Sequence, residues 1–291
     1  MFNSIAMLIA NIISKRHFMV TLGLLLFLVQ VNCSVLPKEY STIPTNDTLR
    51  VASYNIRIAS PPSLCPDFTC TDLQSVADAI TRTKADLIGL QEVDKFTKRS
   101  GKDSHQARDL AKLTGMHFHF ADAVNRSEGV QGNAILSKYP IIESNSYKLY
   151  TPEGSTGETR SLAIVKVKVG NQGVIFMTVH LDHRLDSDRE YQLSQLIEHI
   201  KEYENHPVIL SGDFNMQPDN QVFKLLDQQF EFATENHPFT FPAKEPKRTI
   251  DYLLLNKTAQ KVFEVVDYYT MDEPYASDHL PVIIVLRFKT K

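Results

Sequence analysis

Val208-Ile209-Leu210-Ser211-Gly212-Asp213-Phe214-Asn215 is a short apolar run that closes on a carboxylate and an amide two positions apart. Its length and its branched residues, bounded by Pro207 and Pro218, read as a buried strand. Side chains two apart on a strand share a face, so Asp213 and Asn215 point toward one place. In isolation, Asp213-x-Asn215 ahead of a proline is equally an Asx turn or a helix cap. The same design recurs along the chain, however, and the recurrence carries the weight.

Asp86-Leu87-Ile88-Gly89-Leu90-Gln91-Glu92 is a second apolar run that ends in a carboxylate. Val174 to Asp182 closes on His180 and Asp182, Ile250-Asp251-Tyr252 opens another strand, and Ser277-Asp278-His279-Leu280-Pro281 precedes the last. In Arg50 to Ile58 alternation puts Ala52, Tyr54, Ile56 and Ile58 on one face and Ser53, Asn55 and Arg57 on the other. Hard oxygen donors in this number select Mg²⁺ or Mn²⁺ over a soft metal. Histidine titrates near neutrality and supplies proton transfer. Together they suit attack of water on a phosphate ester.

Outward from these motifs, strand-like runs fall at Leu49–Ile58, Asp86–Val93, Met116–Ala123, Asn133–Ser137, Ser161–Val169, Gly173–Leu181, Pro207–Phe214, Thr249–Asn256, Lys261–Tyr269 and Leu280–Phe288. Val169 to Gly173 has the spacing of a hairpin turn. Helical patterns cover Asp72–Lys84, Ser104–Thr114, Asp186–Tyr203 and Asn220–Gln228. Strands interleaved with helices predict a mixed-sheet α/β sandwich in one domain, residues 49–291.

The chain has 291 residues, 43% hydrophobic and 22% charged, with a net charge of −3. That composition excludes disordered and polytopic-membrane classes and a protein that holds polyanions by bulk charge. Residues 1–33 contain no acid; Lys15, Arg16 and His17 precede an apolar run from Phe18 to Val29. This reads as a secretory signal peptide cleaved near Cys33, an uncleaved anchor being the alternative. Residues 34–48, polar with Pro37 and Pro44, read as a tether. Cleavage removes Lys15, Arg16 and Cys33, so the charge moves from −3 to −5 and Cys65 and Cys70 are left as a pair. In a secreted or periplasmic protein that pair is expected to staple its short loop as a disulfide.

Ser53-Tyr54-Asn55, Gly89-Leu90-Gln91-Glu92-Val93, Thr178-Val179-His180-Leu181-Asp182, Ser211-Gly212-Asp213-Phe214-Asn215, Ile250-Asp251-Tyr252 and Ser277-Asp278-His279-Leu280-Pro281-Val282 resemble the ordered motifs of the endonuclease/exonuclease/phosphatase superfamily, which has a deoxyribonuclease-I-like fold. The resemblance implies a four-layer sandwich of two mixed β-sheets flanked by helices, and a metal-dependent phosphoesterase site at one sheet edge. It implies that Glu92 is the main metal ligand, with Asn55 and Asp278. It also implies that Asp213 orients or deprotonates water and that Asn215 holds a phosphate oxygen. His279, oriented by Asp251, is a general base or phosphate stabiliser, and His180 donates to the phosphate or leaving group. Which of Asp213 and His279 takes the proton stays open.

Arg160 has the planar fork to grip a phosphate, a solvated strand start being the alternative. Asn133 resembles a family residue bordering the site, and Arg184, with Arg160 and Arg248, fits a basic pocket. The basic cluster Lys95, Lys98, Arg99 and Lys102 reads as a solvated loop, contact with a nucleic-acid backbone being the alternative, and Phe239 to Pro242 as core packing, a substrate wall being the alternative. The expected protein is a monomeric hydrolase whose partner is its substrate: nucleic acid, phospholipid head group or small phosphorylated molecule. A nuclease, a sphingomyelinase-like phospholipase and a non-catalytic binding module of the same fold are the alternatives.

Overall fold

A computed structural model describes residues 48–290; the signal-peptide reading of residues 1–33, and nearly all of the tether, lie outside the described residues. β1 (Thr48–Asn55) runs parallel to β2 (Leu87–Lys95), with α1 (Leu73–Thr83) as the crossover. α2 (Gln106–Thr114) follows, then β3 (His117–Arg126) and β4 (Gly129–Ser137). β5 (Ile141–Leu149) and β6 (Arg160–Val169) lead into β7 (Gln172–His180). β7 is joined through α3 (Asp186–Ile200) to a parallel β8 (Val208–Asp213). The chain closes with β9 (Phe230–Phe232), β10 (Asp251–Asn256), α4 (Lys257–Val262), β11 (Phe263–Thr270) and β12 (Val282–Phe288).

Two six-stranded sheets result, ordered β11-β12-β1-β2-β4-β3 and β5-β6-β7-β8-β10-β9. Val51, Leu87, Val165, Phe176, Ile209, Leu253 and Ile284 from both sheets form the central core. The outer face of the first sheet packs Ala52, Tyr54 and Ile88 against Val76, Ile80 and Leu110 of α1 and α2. The outer face of the second packs Met177 and Leu210 against Leu193 and Leu196 of α3. This is the four-layer α/β sandwich with mixed sheets. The helix ends follow ordinary capping chemistry: Asp72 accepts from the Ser75 amide at 3.0 Å, and Gly115 ends α2 at a φ of 69°.

The elements depart from expectation where local chemistry overrides pattern. β1 stops at Asn55, because Arg57, Ile58 and Ala59 turn left-handed with φ of 47°, 52° and 55°. Asn220–Gln228 is only a 3₁₀ turn, Gln221–Leu225. Residues 257–262 form α4 ahead of β11, capped by Asn256, whose side chain accepts from the Ala259 amide. β5 was not anticipated, since Ile141 to Leu149 is largely exposed and lacks an apolar face. The hairpin at Val169 to Gln172 and the Cys65–Cys70 disulfide, Cα–Cα 5.6 Å, are as expected.

Candidate active site

Each sheet contains one parallel pair, and ligands collect at the carboxyl ends of parallel strands. Asn55 and Gln91 are partners at the ends of β1 and β2, as are His180 and Asp213 at the ends of β7 and β8. The antiparallel neighbours bring their amino ends to the same edge. Asp251 therefore pairs with Asp213, and Ser277 to His279 arrive just before β12 runs beside β1. Six segments distant in sequence meet there because of strand direction alone.

Beneath this edge the facing sheets exchange apolar packing for a buried polar layer. Gln91 donates from Nε2 to Ser53 Oγ at 3.2 Å and across the sheets to Thr178 Oγ1 at 2.7 Å. A Cβ on Gly89 would fall 2.3 Å from Ser211 Oγ and 2.5 Å from Thr178 Oγ1, so only glycine admits this approach. Between Leu90 and Val93 the pairing with β4 shifts register, and Glu92 takes a φ of 53°. A bulge of this kind re-aims a side chain, and here it turns a half-buried carboxylate toward the neighbouring strand ends.

Asn55 joins the two halves. Its Nδ2 donates to Glu92 Oε1 at 3.2 Å and to Asp213 Oδ2 at 3.0 Å, while its Oδ1 accepts the Arg57 amide at 3.0 Å. Ser277 Oγ donates to the Asn55 carbonyl at 2.7 Å. Asp213 Oδ1 accepts the amide of Asn215, which is itself left-handed at a φ of 53°. His279 Nδ1 lies 2.9 Å from Asp251 Oδ2, and its Nε2 lies 3.8 Å from Asp213 Oδ2. Asp213, Asp251 and His279, all buried, bring one ligating atom each within 4.8 Å of one another.

Burial opposes charge on His279, but the carboxylates of Asp251, Asp213 and Asp278 outweigh it and raise its pKa to about 10. Burial and then the Asp251 charge raise Asp213 to about 7. His180 goes the other way. Burial, then Arg160, His279 and His183, hold it well below the usual histidine value. Both its nitrogens face N–H donors: Arg160 at 3.4 Å from Nδ1 and Asn215 Nδ2 at 3.1 Å from Nε2. Neutral His180 and cationic His279 thus flank Asp213.

Asp213, Asp251 and His279 therefore form a group whose ligating atoms could hold a metal ion and whose Asp251–His279 pair can handle protons. Among the described residues no Lys or Arg forms a salt bridge with Glu92, which shares a neutral amide with buried Asp213. Such an oxygen-rich pair suits a hard cation. Asp278 is half-buried and pairs with Arg57 Nε at 3.5 Å.

Among the expected substrate contacts, Arg160 is buried at the start of β6 beside His180, His183 and Asp182. Asn133 lies opposite the β2 bulge and donates to the Ser161 carbonyl at 2.6 Å, clipping one sheet to the other. Arg184 donates outward to the Thr156 carbonyl at 2.7 Å. Sequence reasoning missed the Arg57 clasp and the Gln91–Thr178 bridge, while the Phe241 ring, from the segment read as core or substrate wall, lies 4.8 Å from that of His279. Hydroxyl and amide side chains recurring inside otherwise apolar strands were the available signal for the bridge.

The family model described as Endonuclease/Exonuclease/phosphatase family matches residues 53–279. The chain belongs to that family, whose members hydrolyse phosphate esters. It is 27% identical over 222 residues to YbhP of Escherichia coli K12, covering 72% of this chain and 86% of that protein. Its fold matches an endonuclease/exonuclease/phosphatase from Beutenbergia cavernae with a TM-score of 0.65 at 23% identity, covering 83% of this chain and 72% of that one. It also matches the Bacteroides thetaiotaomicron mannosyl-6-phosphatase with a TM-score of 0.63 at 21% identity, over 82% of this chain and 100% of that one.

Proposed function

We propose that the protein is an exported, Mg²⁺- or Mn²⁺-dependent hydrolase of small phosphate esters, with water attacking phosphorus between the two sheets. The observation that carries this reading is the pairing of buried Asp213 with an Asp251–His279 dyad beside the cation-poor carboxylate of Glu92. Glu92 would be the main metal ligand, Asn55 fixing it relative to Asp213, and Asp278, which also pairs with Arg57, would assist. A bound cation supplies Lewis acidity toward a phosphoryl oxygen.

The protein's own groups divide the remaining work. Asp213, raised by burial and the Asp251 charge to about 7, accepts the proton of the attacking water as the new P–O bond forms. The P–O bond to the alcohol breaks, the departing oxygen takes a proton from solvent, and Asp213 returns its own to solvent. His279, held cationic by Asp251, donates from Nε2 to a phosphoryl oxygen and stays protonated through the attack. This assigns the base role to Asp213 and charge stabilisation to His279. His180 is neutral and serves as a hydrogen-bonding partner of Asn215, which presents its amide to phosphate.

A cavity of about 500 Å³ opens beside Asn215, lined in part by Glu190, Asp219, Gln221 and Arg248. Its acids outnumber the one arginine, which disfavours a polyanionic strand on that side and suits a small polar alcohol. The named activity of the mannosyl-6-phosphatase is a precedent for such a substrate on this fold. The apolar segment at Phe18 to Val29 and the Cys65–Cys70 disulfide support export. Hydrolysis of sugar phosphates, mononucleotides, plasmid DNA and sphingomyelin, with Mg²⁺ or EDTA, tests the proposal. Preference for a small ester supports it, and absence of metal-dependent hydrolysis of any ester removes it.

A further inference from the structure

Arg57 is buried, and every direction its guanidinium takes meets an acceptor. It donates to the Ser60 carbonyl, to the Cys65 carbonyl at 3.2 Å and to the Pro66 carbonyl at 3.1 Å. Its Nε faces Asp278 Oδ2 at 3.5 Å, and the Phe68 ring covers the guanidinium at 3.9 Å. Cys65, Pro66 and Phe68 belong to the loop that the Cys65–Cys70 disulfide closes. Ser60 lies ahead of that loop, and its Oγ donates to the Cys65 carbonyl, tying it to the loop's first residue.

The backbone at Arg57 is equally constrained. Three successive non-glycine residues, Arg57, Ile58 and Ala59, are left-handed, including a β-branched one. Each such residue costs roughly 1–2 kcal/mol, a strain that persists only where surrounding contacts over-determine it. Gln106 supplies one such contact at the Ile58 carbonyl, and the Asp72 amide another at the Ala59 carbonyl. The turn has a consequence at the reacting centre: it aims the Arg57 amide at Asn55 Oδ1, so that Asn55 presents its NH₂ to Glu92 and Asp213.

We propose that Arg57 is a positioning residue, clasped by the carbonyls of the Cys65–Cys70 loop, that transmits the geometry of this loop to Asn55 through its amide and to Asp278 through its side chain. The inference rests on the phosphoesterase reading and extends it to a segment that touches none of Asp213, Asp251 or His279. An arginine holding several carbonyls at once requires them at fixed spacing. A crosslink between Cys65 and Cys70 keeps two of those carbonyls, Cys65 and Pro66, in place by restricting the loop.

The test compares R57K and C65S/C70S with the wild type. It reads kcat and KM on bis(p-nitrophenyl) phosphate, Mn²⁺ binding by calorimetry, and folding by circular dichroism. Both variants are expected to lower kcat at least tenfold, keep KM within twofold and weaken Mn²⁺ binding at least fivefold while remaining folded. Wild-type kcat and Mn²⁺ affinity in either folded variant would overturn the proposal, even with a lowered Tm, because the loop would then be a purely structural staple. If C65S/C70S does not fold, R57K alone decides. A wild-type protein inactive on every ester would sink the functional reading instead, and the Mn²⁺ titration would still test the positioning role.

Discussion

The imidazole of His279 spans two buried carboxylates, with Nδ1 at 2.9 Å from Asp251 Oδ2 and Nε2 at 3.8 Å from Asp213 Oδ2. The positive charge of the ring thereby lies between an orienting acid at Nδ1 and a reacting one at Nε2. The closeness of Asp251 raises both neighbours, His279 to about 10 and Asp213, with burial, to about 7. The three groups titrate as a coupled set.

The pH dependence of kcat/KM is expected to be bell-shaped. It rises as Asp213 loses its proton near pH 7 and falls as His279 loses its own near pH 10. Initial rates from pH 5 to 11 at saturating metal check this. A plateau extending below pH 5 would rule out Asp213 as the base.

Replacing Asp251 with Asn removes the largest of the charges that keep His279 protonated, so burial, opposed only by Asp213 and Asp278, moves its pKa down. D251N is expected to lose activity by on the order of 10²–10⁴-fold. Its alkaline limb should move to lower pH. Kinetics of the purified variant across the same pH range provide the measurement.

Stability carries the same signature. The folded pKa of His279 is raised above its ordinary value of 6.5 to about 10, so its contribution is fully present below pH 6.5 and lost as pH rises to 10. Asp213, raised from 3.8 to about 7, has the same sign over its own lower range. Urea midpoints of the metal-free protein should therefore decline from pH 6.5 to 10, and this decline should be shallower in H279N.

Chelation by EDTA is expected to abolish hydrolysis, and Mg²⁺ or Mn²⁺ to restore it. E92Q should need much more metal for half-maximal activity, since a neutral amide replaces the cation-poor carboxylate beside Asn55. Mn²⁺ titration of both proteins by calorimetry is the check.

Gly89 faces the other sheet at close range, with Ser211 Oγ and Thr178 Oγ1 already inside the space of a Cβ. G89A is expected to destabilise the fold by about 1–3 kcal/mol through overpacking. It should also lower activity, because Gln91 and the Glu92 bulge follow directly on the same strand. Denaturant unfolding and kinetics on one preparation separate the two effects.

Much of this site was legible before any coordinates. Asp213, Asn215, Glu92, His180, Asp251 and His279 stand at the ends of apolar strands, and two-residue periodicity sets their faces. The edge strand β5 was not legible, because an exposed strand has no apolar alternation to betray it. Nor was the end of β1, where the left-handed turn at Arg57 to Ala59 breaks a pattern that alternation would have continued through Ile58. The hydrogen bond from Arg184 Nη1 to the Thr156 carbonyl was not legible either, since no local signal predicts that contact.

The sequence by itself determined the chemistry available: which carboxylates, imidazoles and amides the strands deliver. Composition also determined that two cysteines remain to staple a loop once residues 1–33 are set aside. Only the tertiary structure decided the division of labour. Protonation depends on distance and burial, so His279 becomes cationic beside Asp251 while His180, between Arg160 and Asn215, stays neutral. The same holds for Arg57, whose role comes from carbonyls that a folded loop brings within reach of one guanidinium.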